Sequence, residues 1–177
     1  SYNLSSMARI PSKVQRRDTY IERIKPFMRT NAVKVMIGHR RVGKSYILYQ
    51  LINLIKEEEK DANIIYINKE DLEFEFIANY RDLYAYVKER LVDEHRNYIF
   101  VDEIQEITDF RLAIRSLALD ENNDIYITGS NSEMFSSDLA NELGGRYVEF
   151  KIFSLSYLEF LQFHQLPNDD ESLEKYI

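Results

Sequence analysis

Gly38-His39-Arg40-Arg41-Val42-Gly43-Lys44-Ser45 decides the reading of this 177-residue chain. The octapeptide fits Gly-x4-Gly-Lys-Ser/Thr, and each fixed position has a physical reason. Glycines let the backbone turn tightly, so that successive N–H groups point inward at phosphate oxygens. A helix opening directly after the loop adds the positive end of its dipole. Lys44 then reaches the β- and γ-phosphates, and the Ser45 hydroxyl is placed to ligate Mg2+. With only five glycines in the chain, chance meets this pattern on the order of once in a thousand such sequences. The nucleotide-binding set is therefore Gly38, His39, Arg40, Arg41, Val42, Gly43, Lys44, Ser45 and Tyr46.

The flanks alternate between strand and helix signals. Residues 33–37 (VKVMI) read as a strand, and Lys44 to Lys56 places Ile47, Leu48, Leu51, Ile52 and Ile55 at helical spacing. Strands follow at Asn63 to Ile67, Tyr98 to Val101, Asp124 to Thr128 and Tyr147 to Ile152. Helix faces lie between them over about 80–94, across Phe110, Ile114 and Leu117, and from Ser132 to Leu143, where Gly144-Gly145 stops the helix. Upstream, Thr19-Tyr20-Ile21-Glu22 reads as a capping box opening a helix over about 20–30. This rhythm predicts an α/β fold with a parallel sheet covered by helices on both faces. The stretch Leu72-Glu73-Phe74-Glu75-Phe76 reads as an edge strand or a partner loop.

A phosphate loop needs an acid to hold Mg2+. Ile99-Phe100-Val101-Asp102-Glu103 is an apolar strand ending in two acids. Asp102 at the tip is the second metal-holding residue beside Ser45, and Glu103 is the candidate general base for an attacking water. The second carboxylate favours a nucleotide hydrolase over a kinase. Thr128-Gly129-Ser130-Asn131 ends the fourth strand at the carboxyl edge, where open α/β sheets bind ligands. Asn131 is either a bridge between the attacking water and the γ-phosphate, or it caps the next helix, as Ser130 also could. Arg146, after the glycine pair, is either a finger reaching a neighbouring subunit's site or a surface arginine in a turn.

Together these segments resemble the AAA+ ATPases. GHRRVGKS is similar to their Walker A loop, IFVDE to Walker B, TGSN to the sensor 1 segment, and GGRYVEF to the segment carrying the arginine finger. More narrowly, Arg40-Arg41, Asp102-Glu103-Ile104-Gln105 and ITGSNS (127–132) resemble a prokaryotic AAA family, over about residues 18–163. The resemblance implies a three-layer P-loop NTPase of ASCE/AAA+ type, with a five-stranded parallel sheet in the order 5-1-4-3-2. It implies ATP and Mg2+ as ligands, with Glu103, Asn131 and Arg146 as the catalytic set. It also implies a helical lid and a further domain. The expected division is an N-terminal arm over 1–17 (Met7 the natural start and Ser1 to Ser6 a cloning remnant), an ATPase domain over 18–152, and the start of a truncated lid or C-terminal region over 153–177. In that last part Ser156 to about Gln165 reads as a helix apolar on most sides.

Composition sets the outer bounds. At 45% apolar, about 80 side chains are available for a core, enough for one domain. The absence of cysteine excludes a disulfide scaffold, thiolate-bound metal and a cysteine nucleophile. No apolar run reaches the ~18–20 residues of a membrane span, and the expected location is cytoplasmic. Residues 9–44 carry eleven Lys/Arg against Asp18 and Glu22, a balance of +9, while the remainder balances at −16. That basic third either attracts an anion or is neutralised by the acidic remainder. Three functions follow: an ATPase driving movement of a macromolecular target, a nucleotide-gated binding switch with slow turnover, or a DNA-binding ATPase using the basic segment 9–29. Oligomerisation through Arg146 goes with the first. His39, His95 and His164 are too scattered for a metal site. The 13 tyrosines and 10 phenylalanines fall mostly at core spacing rather than forming a base-stacking platform.

Overall fold

The computed structural model describes residues 18–40, 42–130 and 137–153. Its strands are β1 (Val33–Ile37), β2 (Asn63–Asn68), β3 (Asn97–Asp102), β4 (Asn123–Gly129) and β5 (Tyr147–Lys151). Its α-helices are α1 (Asp18–Ile24), α2 (Lys44–Glu58), α3 (Tyr80–Lys88), α4 (Phe110–Leu117) and α5 (Ser137–Glu142). All strand pairs are parallel, in the order β2-β3-β4-β1-β5. This is the expected 5-1-4-3-2 sheet read from its other edge.

The central strands β1, β3 and β4 are buried along their whole length, so their side chains alternate between two hydrophobic layers. On one face Val33, Val35, Ile99, Val101, Ile125 and Ile127 pack with Leu83 and Val87 of α3 and Phe110, Ile114 and Leu117 of α4. On the other, Met36, Tyr98, Phe100, Tyr126 and Phe150 pack with Ile21 and Ile24 of α1 and the apolar face of α2. Phe100 and Tyr126 stack with centroids 4.6 Å apart. These aromatic rings fill the core, in line with their spacing in the sequence.

Four local expectations are corrected. The first helix spans Asp18–Ile24, with Thr19 inside it rather than capping it, and continues as a 3-10 turn over Lys25–Phe27. Pro26 is the reason, since it lacks an N–H and disfavours α geometry in the residue before it. Glu22 accepts from Lys25 Nζ at 2.8 Å. α3 ends at Lys88 and β5 at Lys151, short of the expected 94 and 152. The segment LEFEF is a 3-10 turn over Leu72–Phe74. The Asp71 carboxylate accepts from the Glu73 N–H, and Lys69 Nζ donates to the carbonyls of Phe74 and Ile77 at 2.7 and 2.6 Å. Those bonds fold the segment back and override its strand-like alternation. The helix expected over Ser132 to Leu143 is described from Ser137, and the one expected from Ser156 lies outside the described residues.

At the amino edge of the sheet, Lys34 and Asp124 form an ion pair in which both side chains are 0% exposed. Lys34 Nζ also donates to the Thr30 carbonyl at 3.1 Å. Asp124 Oδ2 accepts from the Arg29 backbone N–H at 2.9 Å and the Tyr126 hydroxyl at 2.7 Å. The Arg29 guanidinium, on a backbone with φ 60°, bonds Glu58, Glu59 and the Tyr98 hydroxyl. Burial lowers the Lys34 pKa despite Asp124. Burial and the Glu59 carboxylate push the Tyr98 hydroxyl up to about 12. This network ties the approach to β1 to the end of α2. Lys34→Ala leaves a buried carboxylate without its cation, and is expected to lower stability in urea titrations by about 3–5 kcal/mol. Lys34→Met combined with Asp124→Asn is expected to recover most of that loss.

Candidate functional site

β1 delivers the phosphate loop to the carboxyl edge of the sheet. Gly38 donates its N–H to the Gly129 carbonyl at 3.1 Å, so β1 and β4 stay joined where the loop departs. A Cβ on Gly38 would strike the Ile152 carbonyl oxygen and come within 2.9 Å of Val42 Cγ2. The first glycine is thus demanded by the end of β5. Gly43 has φ 95° and is the N-cap residue of α2, a left-handed conformation that favours glycine. Val42 is buried, His39 and Arg40 are exposed, and Tyr46 is half-buried in the first turn of α2. Arg41 lies outside the described residues. Lys44 is 4% exposed and folds back on its own loop. Its Nζ donates to the carbonyls of Gly38 and His39, the latter at 3.2 Å, and lies 3.2 Å from Glu103 Oε1.

The acids sit directly opposite. Asp102 ends β3 with 0% exposure. One of its oxygens accepts from Ser45 Oγ and the other from Thr128 Oγ1. Burial raises its pKa above the ordinary carboxylate range, more than the two hydroxyls and Lys44 lower it, and Glu103 adds to the rise. Glu103 follows with φ 56°. Its backbone N–H donates to Thr128 Oγ1 at 2.9 Å, and the residue is 4% exposed. The left-handed turn starts a 3-10 turn, Ile104–Glu106, that swings Gln105 back over the acid. Gln105 Nε2 donates to Glu103 Oε2 and to Ser130 Oγ, the latter at 2.9 Å. At the rim, Arg40 bonds Glu106 at 2.8 Å.

Of the residues read from sequence, Lys44, Ser45, Asp102 and Glu103 therefore form one bonded cluster with Gly38 and His39. Asn131 lies outside the described residues. Arg146 is elsewhere: it precedes β5 at the amino edge, where its carbonyl accepts the Val33 N–H at 3.0 Å. A β1-length of strand, roughly 15 Å, separates it from the loop. The sequence reading gave no role to Thr128 or Gln105, which bind the two acids. A signal for Thr128 existed in the strand ends, because Val101 pairs with Ile127, which sets Thr128 beside Asp102.

A buried carboxylate with a raised pKa disfavours its own charged form in the fold. The neutral Asp102→Asn change removes that cost, and its amide can both donate to and accept from the flanking hydroxyls. Nucleotide-free Asp102→Asn is expected to melt ~2–5 °C higher than wild type at neutral pH, for a gain of about 1 kcal/mol. The sign follows from the raised pKa: the difference shrinks as pH falls and Asp102 itself takes up a proton. Calorimetry across pH checks both points.

A family model described as an AAA domain, AAA_14, matches residues 30–161. An uncharacterized protein of Haemophilus influenzae is 33% identical over 161 residues, 90% of this chain and 40% of that one. The uncharacterized protein MJ1544 of Methanocaldococcus jannaschii is 38% identical over 152 residues, 86% of this chain and 32% of its own. The chain thus spans well under half the length of these relatives. Among solved structures, Cdc6p of Pyrobaculum aerophilum superposes with a TM-score of 0.62 at 14% identity, over 88% of this chain and 50% of that one. The ORC2 protein of Aeropyrum pernix in its ADP form gives 0.57 at 12%, over 89% and 50%. PCH-2 of C. elegans gives 0.56 at 12%, over 88% and 44%. At such identities the likeness is one of fold. With the family model covering most of the chain, and the sheet order and phosphate loop in agreement, the chain belongs to the AAA_14 family of AAA domains and has the fold of the AAA+ P-loop ATPases.

Proposed function

We propose that this chain is the ATP-hydrolysing module of a larger protein, and that residues 18–152 are its working core. The observation that carries the reading is the direct contact between the two halves of the site: Lys44 with Glu103 at 3.2 Å, and Ser45 with Asp102. Amide groups of residues 39–45 cradle the triphosphate at the head of α2. Lys44 exchanges its loop carbonyls for the β- and γ-phosphate oxygens, which releases Glu103 from its cation. Glu103, buried and anchored through Thr128, then takes a proton from water as that water attacks the γ-phosphate. Ser45 Oγ and Asp102 are hard oxygen donors that fit Mg2+ and would hold it. Bound there, the ion would neutralise charge on the phosphates.

Arg146 cannot reach its own site across the sheet, so its role in this reading is to complete the site of a neighbouring copy. Asn131 serves in this reading as the γ-phosphate sensor. Hydrolysis then changes the contact between copies and moves whatever domain follows, against a macromolecular target.

The tests use the full natural protein. Lys44→Ala is expected to abolish ATP binding in calorimetry. Glu103→Gln is expected to keep it while lowering steady-state phosphate release about 10²–10⁴-fold. Equal turnover in Glu103→Gln and wild type would remove Glu103 from the role of base. Arg146→Ala is expected to lower turnover by about 10³-fold without weakening ATP binding. Mixing it with Glu103→Gln, whose copies still carry Arg146, is expected to restore phosphate release. Mixtures as inactive as their components would deny the role in trans.

A further inference from the structure

The amide of Gln105 is held between the two strand ends that frame the reaction. Its nitrogen has two hydrogens, and both are used: one bonds Glu103 Oε2, the other Ser130 Oγ. The orientation follows from chemistry. An ionised carboxylate only accepts hydrogen bonds, so the nitrogen, and not the oxygen, must face Glu103. The carbonyl oxygen Oε1 is thereby turned away from both partners. It is buried and has no hydrogen-bond partner among the described residues. A buried acceptor without a donor is rare and calls for an explanation. Here it stands on the same side chain that grips the candidate base.

We propose that Gln105 orients the attacking water, accepting one of its hydrogens at Oε1 while Glu103 accepts the other. The inference rests on the hydrolytic reading given above. Glu103 alone fixes one hydrogen and leaves the water free to rotate about that bond. A second acceptor on a side chain locked to Glu103 removes the rotation and aims a lone pair at phosphorus. In the step itself the water oxygen forms a bond to the γ-phosphorus as the bridging bond to the β-phosphate breaks. The electron pair of that bond leaves on the β-phosphate oxygen of ADP. One proton passes to Glu103, and the other stays on the new phosphate oxygen, bonded to Gln105. The left-handed turn at Glu103 and the 3-10 turn after it bring position 105 back over position 103. Ser130 fixes the far side of the amide, so the end of β4 also sets where the water stands.

The test uses the full natural protein with two variants. Gln105→Ala removes the amide. Gln105→Glu keeps its size but turns an acceptor toward Glu103. For each, ATP affinity is measured by calorimetry and turnover by phosphate release. Affinities for ADP with beryllium fluoride, which mimics bound ATP, and for ADP with aluminium fluoride, which mimics the in-line transfer with its water, are measured as well. Both variants are expected to lose about 10²-fold in kcat, with ATP and beryllium fluoride affinities within about threefold of wild type. Aluminium fluoride affinity is expected to fall with kcat. A kcat within threefold of wild type in Gln105→Ala overturns the proposal, as does loss of ATP and beryllium fluoride binding in step with kcat, which marks a residue that only shapes the site. Both outcomes differ from failure of the hydrolytic reading, in which wild-type protein itself releases no phosphate.

Discussion

Burying the three central strands on both faces is the constraint from which the rest follows. In β1, β3 and β4 a charged side chain has no solvent to point to along the strand, and charge burial is costly unless paired. Ionisable groups are therefore driven to the two rims. Lys34 and Asp124 lie at the amino rim, Asp102 and Glu103 at the carboxyl rim, and between them run only Met, Val, Ile, Phe, Tyr and Thr. A parallel sheet then makes the two rims unlike. Every strand leaves toward the same side, so the phosphate loop, the acids of β3 and the polar end of β4 meet there.

The rims differ in how completely their polar atoms are satisfied. At the amino rim Lys34 has a carbonyl and a carboxylate, and Asp124 has an ammonium, an N–H and a phenol. Nothing in that network calls for a further group, and it locks the chain's entry into β1. At the carboxyl rim Asp102 is left with two hydroxyls and a raised pKa, Lys44 leans on backbone carbonyls, and the Gln105 amide oxygen has no donor among the described residues. Incomplete satisfaction of this kind is what the proposed function expects, with the remaining partners coming from a ligand. On the proposed function, the contrast separates a buried charge network that holds the fold from one left open for a ligand, although both contain a Lys–carboxylate pair.

How much of this could be read beforehand depended on the range of the determining contact. β1 was readable to the residue because VKVMI sits between a polar turn and the glycine loop. That Lys44, Ser45, Asp102 and Glu103 come together was legible because the first two open α2 after the loop that leaves β1, and the last two stand at the end of β3. The start of α3 at about 80 was read from its apolar spacing, and a local signal stands behind it: Asn79 accepts from the Arg81 and Asp82 N–H groups while Asp82 reaches back to the N–H of Asn79, a capping box written with Asn and Asp instead of Ser and Glu. Of the two readings of LEFEF the edge strand fails, because alternation is also what a tight turn yields when one aromatic, Phe74, is buried and Leu72 and Phe76 are not. The order of the strands came from resemblance alone. Gln105 and Ser130, 25 residues apart, were out of reach of any local pattern, since only sheet register brings them together.

The described part of the sequence's charge asymmetry follows the same rule. Residues 9–44 balance at +9 when counted alone, which suggests a surface for anions. In the fold, five of the six described basic residues between 18 and 44 are paired with acids: Lys25 with Glu22, Arg29 with Glu58 and Glu59, Lys34 with Asp124, Arg40 with Glu106, and Lys44 with Glu103. Four of these five reach into the acidic remainder of the chain. Among the described residues the basic segment is threaded through its own counter-charges, and little of that part of its charge is left to face a distant anion. Lys44 is the exception that matters. On the proposed function a triphosphate displaces its pairing with Glu103, because the phosphate oxygens offer the ammonium the same charge at the mouth of the same loop.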